Sequence, residues 1–247
     1  MHRPPQLRYR PFLFVLLAAL VALTLSSCGG KADSTKPFSP ETVAEVDAAA
    51  AGVMEGTGAP GALVGIWKED GTVLVKAYGL ADADAEKVMD EGLSFRIGSI
   101  TKTFTGNVVL QLVDEGKLSL DDPVSGFVPG IPDGDAITVR MLLDHSSGIF
   151  NYGQDVGLNE TLAADPHKVW TPRELVDVAV SNPSYFPPGG GCMYSNTNYV
   201  LLGMIVEQVT GHTFEEELAS RISGPLGLTH TYMAGGPALS GEHARGY

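Results

Sequence analysis

Two short runs of this sequence carry side chains that could act together on a carbonyl group. In Ser99-Ile100-Thr101-Lys102 the serine and the lysine are three residues apart, so on a helix they share one face, a turn apart. A serine at a helix N-terminus lies among free N–H groups and the positive end of the dipole, which suits a nucleophile whose attack creates an oxyanion. A lysine amine held away from water loses affinity for its proton and can help activate the hydroxyl. The second run is Tyr194-Ser195-Asn196. A phenol ordinarily titrates near ~10, but a neighbouring ammonium stabilises the phenolate. Tyr194 could then take the Ser99 proton and return it to a leaving group. Asn196 offers an amide donor and an acceptor, fit to hold Lys102 and a substrate amide. Alone, neither run is decisive. The first reads more readily as a capping serine with a solvated lysine, the second as a loop tyrosine with a turn-forming asparagine.

Other chemistries lack support. The sequence has no Gly-x-Ser-x-Gly elbow, no His-Glu-x-x-His, no paired-cysteine motif and no phosphate-cradling Gly-x-x-x-x-Gly-Lys-Ser/Thr. No metal and no cofactor is expected. The chain of 247 residues is 44% hydrophobic and 18% charged, which places it among globular proteins. Its net charge is −13, with no basic block, which argues against a nucleic-acid partner. Two cysteines cannot build a disulfide framework.

The elements that must position these residues can be read from caps and periodicity. Ser39-Pro40-Glu41 starts a helix to about Glu55, with Val43, Val46, Ala50, Val53 and Met54 on its apolar face. Residues 62–67 and 72–75 flank an Asp70-Gly71 turn and predict a hairpin. A helix from about Ser99 to Glu115 buries Ile100, Phe104, Val108, Val109 and Leu112, and Gly116 ends it. Further helices are predicted over 138–143, 171–180 and 198–209, and a Thr213 capping box opens a last one to about Ile222. The run Pro187 to Gly191 must be a loop. Trp67 and Trp170 are expected in the core.

Taken in order, these blocks are specific where each alone is not. Phe95 to Lys102 is followed by Leu110 to Leu118, then by Ile137-Thr138-Val139-Arg140 and Leu142 to Ile149. Tyr194 to Tyr199 then leads to Gly203, Glu207 and Thr210-Gly211-His212, and Pro225 to Leu228 closes the series. This succession resembles the penicillin-recognising serine hydrolases, within them the branch of D-alanyl-D-alanine carboxypeptidases and class C β-lactamases. The resemblance implies an α/β (α+β) fold of the β-lactamase/transpeptidase type: a helical region beside an antiparallel sheet flanked by helices, with the site between them. It implies Ser99 as the acylated nucleophile, Lys102 and Tyr194 as the general-base system, Asn196 as a substrate-positioning residue and the Ser99 N–H as an oxyanion donor. His145 is read as structural, packing the loop beside the site.

The reaction implied is two-step acyl transfer on D-alanyl-D-alanine-type peptides. A β-lactamase, an esterase or a D-aminopeptidase would use the same residues. The expected partner is therefore a small molecule or peptide: a peptidoglycan stem peptide, a β-lactam or an ester. The rival from another class is a non-catalytic surface lipoprotein that binds such molecules. The family's third motif, a His-Thr-Gly or Lys-Thr-Gly on a late strand, is absent from this sequence. The hairpin would then stand as an incomplete, two-stranded sheet, so weak or no turnover is expected of the isolated chain.

The beginning of the sequence reads as an address. Arg3, Arg8 and Arg10 precede an apolar run from Phe12 to Leu25, and Leu25-Ser26-Ser27-Cys28 resembles a lipobox. Residues 1–28 are thus expected to be a lipoprotein signal peptide, 29–40 a polar tether and 41–247 the hydrolase domain. Acylation at Cys28 would anchor an exported protein to the outer face of the cell membrane, because so acidic a body has no electrostatic hold on anionic headgroups.

Overall fold

The structure is a computed structural model and describes residues 36–236 and 238–246; the proposed signal peptide and Cys28 lie outside these residues. The first helix, α1 (Pro40–Thr57), begins where Ser39 Oγ accepts from the Thr42 N–H and ends at Gly58 in the left-handed region. It lies against an antiparallel sheet of order β1 (Gly61–Trp67), β2 (Val73–Asp82), β3 (Lys87–Val88). The Asp47 carboxylate of α1 accepts from Lys76 Nζ and, at 2.7 Å, from Tyr78 Oη, both on β2.

The predicted hairpin is present, with Gly61 opposite Gly79 and Trp67 opposite Val73. The sheet nevertheless has three strands. Asp82 Oδ1 accepts from the N–H groups of Asp84 and Ala85, each at 3.0 Å, and this turn brings Lys87–Val88 back onto the end of β2. Trp67, expected inside, is 68% exposed. Its ring folds over Gly65, where a Cβ would come within 2.2 Å of the indole, so the glycine is what admits this rotamer. Val53, expected on the buried face of α1, also faces solvent.

The core lies in the helical region: α2 (Thr101–Asp114), α3 (Val139–Leu143), α4 (Val156–Ala164), α5 (Pro172–Val180), α6 (Asn196–Thr210) and α7 (Phe214–Leu218), followed by one π turn over Ala219–Ser223. Helix α6 is central and packs against α2, α3, α5 and α7. Leu201, Leu202, Ile205 and Val206 of α6 meet Val108, Val109 and Leu112 of α2, Leu142 of α3 and Val176 of α5 in one fully buried cluster. Each such side chain contributes about 1.5–3 kcal/mol relative to exposure. Among the strands of the sheet, only Ala81 is fully buried.

Two helix predictions shift in detail. The segment at Ser99 opens as a 3-10 turn, Gly98–Ile100, before α2 proper, and this rotates Ile100 out to 60% exposure. Helix α4 has no counterpart among the predictions, since Leu158 is its only buried residue and its apolar pattern is weak. The chain after α7 returns to the sheet. Ser94 N–H donates to Glu242 O at 3.0 Å, Ala244 N–H to Ser94 O at 2.9 Å and Arg245 N–H to Ala81 O at 2.9 Å. The strand-like segment that leads into Ser99 is thereby held on one side. Among the described residues no helix is long and apolar enough to cross a membrane.

Candidate active site

Four side chains predicted from two runs 95 residues apart converge. Ser99 sits in the 3-10 turn directly ahead of α2, and Lys102 follows it one turn later. Asn196 is the first residue of α6, and Tyr194 stands on the extended segment just before it. Ser99 Oγ lies 2.7 Å from Tyr194 Oη. Lys102 Nζ donates to Ser99 Oγ at 3.1 Å and to Asn196 Oδ1 at 2.7 Å. The same ammonium lies 4.8 Å from the centroid of the Tyr194 ring and 5.5 Å from that of Tyr199.

Electrostatics favour the phenolate. Burial pushes Tyr194 up, but hydrogen bonds with Lys102 and Ser99, together with the lysine charge, outweigh it and hold the phenol below its ordinary value. Within this turn the Ile100 N–H donates to Ile97 O at 3.2 Å and the Thr101 N–H turns back on Gly98 O, which leaves the Ser99 N–H at the start of the helical segment to receive an oxyanion. The arrangement can take a proton from Ser99 Oγ, store it on the phenol and stabilise negative charge on an attacked carbonyl.

A loop from Asp144 to Tyr152 holds the segment carrying Tyr194 and Asn196 in place. Asn196 N–H donates to Asn151 Oδ1 at 3.2 Å, and Asn151 also accepts from Gly153 N–H at 3.2 Å. Ser195 Oγ and Thr197 Oγ1 both donate to Phe150 O, at 3.2 and 2.7 Å. Tyr199 Oη donates to Leu143 O at 3.1 Å. The loop in turn packs onto Phe186, which it can do only because Gly148 has φ 78° and no Cβ; a Cβ there would sit 2.0 Å from Phe186 O. Asn151 is a residue the sequence reading missed. It lies two positions beyond the Leu142 to Ile149 block, but nothing in its type distinguishes it from a turn asparagine. His145 belongs to this loop, as expected, and is not within the hydrogen-bonding chain of Ser99.

A groove of about 460 Å³ opens beside Lys102 and Asn196, with Tyr152, Trp170, Tyr199 and Met204 among its walls. Trp170 is therefore half-buried at this groove rather than in the core, with the Lys168 ammonium 3.7 Å from its ring centroid. Ser99 and Tyr194 are exposed to solvent. Among the described residues no group of His, Cys, Asp or Glu could hold a metal ion.

A family model described as Beta-lactamase matches residues 46–247. Penicillin-binding protein 4* of Bacillus subtilis (strain 168) is 31% identical over 166 residues, covering 66% of this chain and 36% of that protein. The D-stereospecific amidohydrolase from Streptomyces sp. superposes with a TM-score of 0.64 at 38% identity, covering 73% of this chain and 54% of that one. The octameric penicillin-binding protein homologue from Pyrococcus abyssi gives a TM-score of 0.69 at 34% identity, covering 78% of this chain and 45% of that one. The chain thus spans between about a third and about half of the length of these proteins.

Proposed function

The chain belongs to the β-lactamase family of serine hydrolases, and from that premise we propose that Ser99 is acylated by substrates of the D-alanyl-D-alanine type. The observation that carries this reading is the contact of Ser99 Oγ with both Tyr194 Oη, at 2.7 Å, and Lys102 Nζ, at 3.1 Å. Ser99 Oγ attacks the carbonyl carbon while its proton passes to the Tyr194 phenolate. Lys102 keeps the phenolate charged and, through Asn196, stays fixed beside it. The oxyanion is received by the Ser99 N–H at the start of the helical segment. Tyr194 then returns the proton to the departing amine, and water resolves the acyl-enzyme by the reverse sequence.

A second reading has its own support. The Streptomyces protein at 38% identity is described as a D-stereospecific amidohydrolase. Hydrolysis of amides of D-amino acids uses the same acyl-enzyme with a smaller leaving group. We further propose that the protein is exported and anchored in the membrane through lipid on Cys28, which rests on the Leu25 to Cys28 run alone.

Intact-mass spectrometry of residues 31–247 after incubation with a penicillin, beside Ser99→Ala, tests the reading. A single penicilloyl adduct that the variant lacks supports an acylable Ser99. Its persistence favours a penicillin-binding carboxypeptidase, and its rapid decay a β-lactamase. Turnover of D-alanine amide without an adduct favours the amidase. A folded chain showing neither would sink the catalytic reading and leave the binding-only alternative.

A further inference from the structure

We propose that His145 is the positioning residue for Tyr194: its carbonyl and its neutral imidazole hold the chain on either side of the phenol, and the imidazole lets go of its side when protonated. The inference rests on the reading of Ser99 and Tyr194 given above. Tyr194 itself is 44% exposed, so burial does little to fix it over Ser99. Its two chain neighbours are both tied to His145. Met193 N–H donates to the His145 carbonyl at 3.0 Å, and Ser195 N–H donates to His145 Nδ1 at 3.3 Å. The imidazole also lies against the phenol, with ring centroids 4.7 Å apart and the planes tilted by 39°. Tyr199 flanks the imidazole as well, at 5.4 Å.

These bonds dictate the protonation state. A backbone N–H can only donate, so Nδ1 must present its lone pair to Ser195 and the ring proton must be on Nε2. Asn198 adds a second donor. Its Oδ1 accepts from Ser147 Oγ at 2.8 Å, which turns its Nδ2 toward His145 Nδ1 at 3.3 Å. Two donors thus converge on one lone pair, and a proton on Nδ1 would face both. The net effect of the groups around the ring points the same way. Burial and the charge of Lys102 lower the basicity of His145, Asp144 opposes them, and the two tyrosine rings complete its surroundings. Lys102 therefore acts on both members of the pair: its charge favours the phenolate and the neutral imidazole together.

The backbone at His145 sets the choice of variants. Its φ is 62°, a left-handed conformation that asparagine adopts more readily than most side chains. His145→Asn keeps that backbone and offers Oδ1 roughly where Nδ1 was, but it has no ring and does not titrate. His145→Ala removes the acceptor as well.

The test follows Ser99 acylation by a penicillin in the full chain, for the wild type and both variants, from about pH 5 to about pH 9, the range in which an imidazole titrates. Carbon-13 at the tyrosine ζ position reports Tyr194 in the same samples. With Ser195 no longer held by the ring and only the main-chain bond at Met193 left, His145→Ala should acylate at least about tenfold more slowly at the alkaline end, and its Tyr194 should titrate closer to the ordinary phenol. His145→Asn should recover most of that rate, and its acid limb should lie at lower pH than in the wild type. The wild-type Tyr194 signal should respond to the titration of His145, whereas that of His145→Asn should show no step there. If His145→Ala fails to fold, the asparagine variant decides alone, through its pH profile and the Tyr194 signal. Equal rates and superimposable profiles in all folded proteins overturn the inference. If the wild type itself is not acylated, the reading of Ser99 fails, and the Tyr194 signal still decides: no step as His145 titrates overturns the clamp.

Discussion

Replacing Tyr194 by phenylalanine separates the chemistry of the site from its architecture. The variant deletes one oxygen, the one 2.7 Å from Ser99 Oγ, and keeps the ring that lies against His145 at 4.7 Å and beneath Lys102 at 4.8 Å. A positioned general base is worth ~10²–10⁴ in rate, or about 3–5 kcal/mol of barrier. Lys102 Nζ, 3.1 Å from Ser99 Oγ, stays in place to stabilise charge on the oxygen while water takes the proton less well. The loss should therefore fall in the lower half of that range, about 10²–10³ in acylation rate. Stability should barely change. Tyr194 is 44% exposed, and an exposed hydroxyl that loses one hydrogen bond costs no more than about 0.5–1.5 kcal/mol. The assay is single-turnover acylation by a penicillin, quenched and read by intact mass, beside a thermal melt of the same samples. An acylation rate within about threefold of wild type would refute the assignment of the phenol, since it would fall far short of what a general base contributes. Lys102→Met distinguishes what remains: if that variant alone is inert, the lysine is the base and the tyrosine a bystander.

The other expectations concern stability and location. Leu202→Ala, at a fully buried position in α6, should cost about 2–5 kcal/mol in denaturant unfolding, whereas Trp67→Ala, 68% exposed on the sheet, should cost under about 1 kcal/mol. Arg221 donates to Glu115 and to the buried Glu217, so Arg221→Met leaves an enclosed carboxylate with His212 as its remaining partner among the described residues; a loss of about 3 kcal/mol is expected on thermal or chemical unfolding. The same contacts with Arg221 and Lys117 depress Glu115 from 4.5 to about 2. A carboxylate lowered by folding stabilises above its unfolded value. This contribution is therefore complete above about pH 5 and lost as pH falls from 4.5 towards about 2, and Arg221→Met should flatten the acid limb of a stability–pH curve. Cys28→Ala, expressed with its full leader, should move the protein from the membrane fraction to the soluble exported fraction; unchanged partition would refute the lipid anchor.

How much of this was legible in the sequence depends on whether the signal was local. Caps and turns are local. Ser39 and Thr213 each accept the hydrogen bond expected of them, and Gly116, expected to end its helix, lies just past it in the left-handed region. The core of α6 was legible as well, because Leu201, Leu202, Ile205 and Val206 repeat at helical spacing. Burial on the sheet was not. Periodicity says which residues share a face but not whether anything covers it, and Trp67 and Val73 form a cross-strand pair that faces solvent. The rotation of Ile100 was hidden for a similar reason. A 3-10 turn and an α-helix have the same sequence signature over three residues and differ in where the first side chain points.

For the site, the side chains that touch the reaction were visible by type, and those that hold them were not. Serine, lysine and tyrosine have a chemical reason to be there, but each run alone read more readily as a cap or a turn, and it was the ordered resemblance of the blocks that named Ser99, Lys102 and Tyr194 before any distance was known. Asn151 and His145 act through a backbone N–H each, at 3.2 and 3.3 Å, and a backbone N–H leaves no mark on the sequence of either partner. Their effect is nonetheless large in principle. Tyr194 and Asn196 lie on the same short stretch of chain and both engage Lys102, one through its ring and one through Oδ1, so a small rotation of that stretch would disturb both contacts. Two separate anchors, one at Ser195 and one at Asn196, remove that rotation where a single anchor would leave it free. The loop from Asp144 to Tyr152 is therefore as much a part of the site as the helix that carries Ser99, although none of its side chains touches the nucleophile.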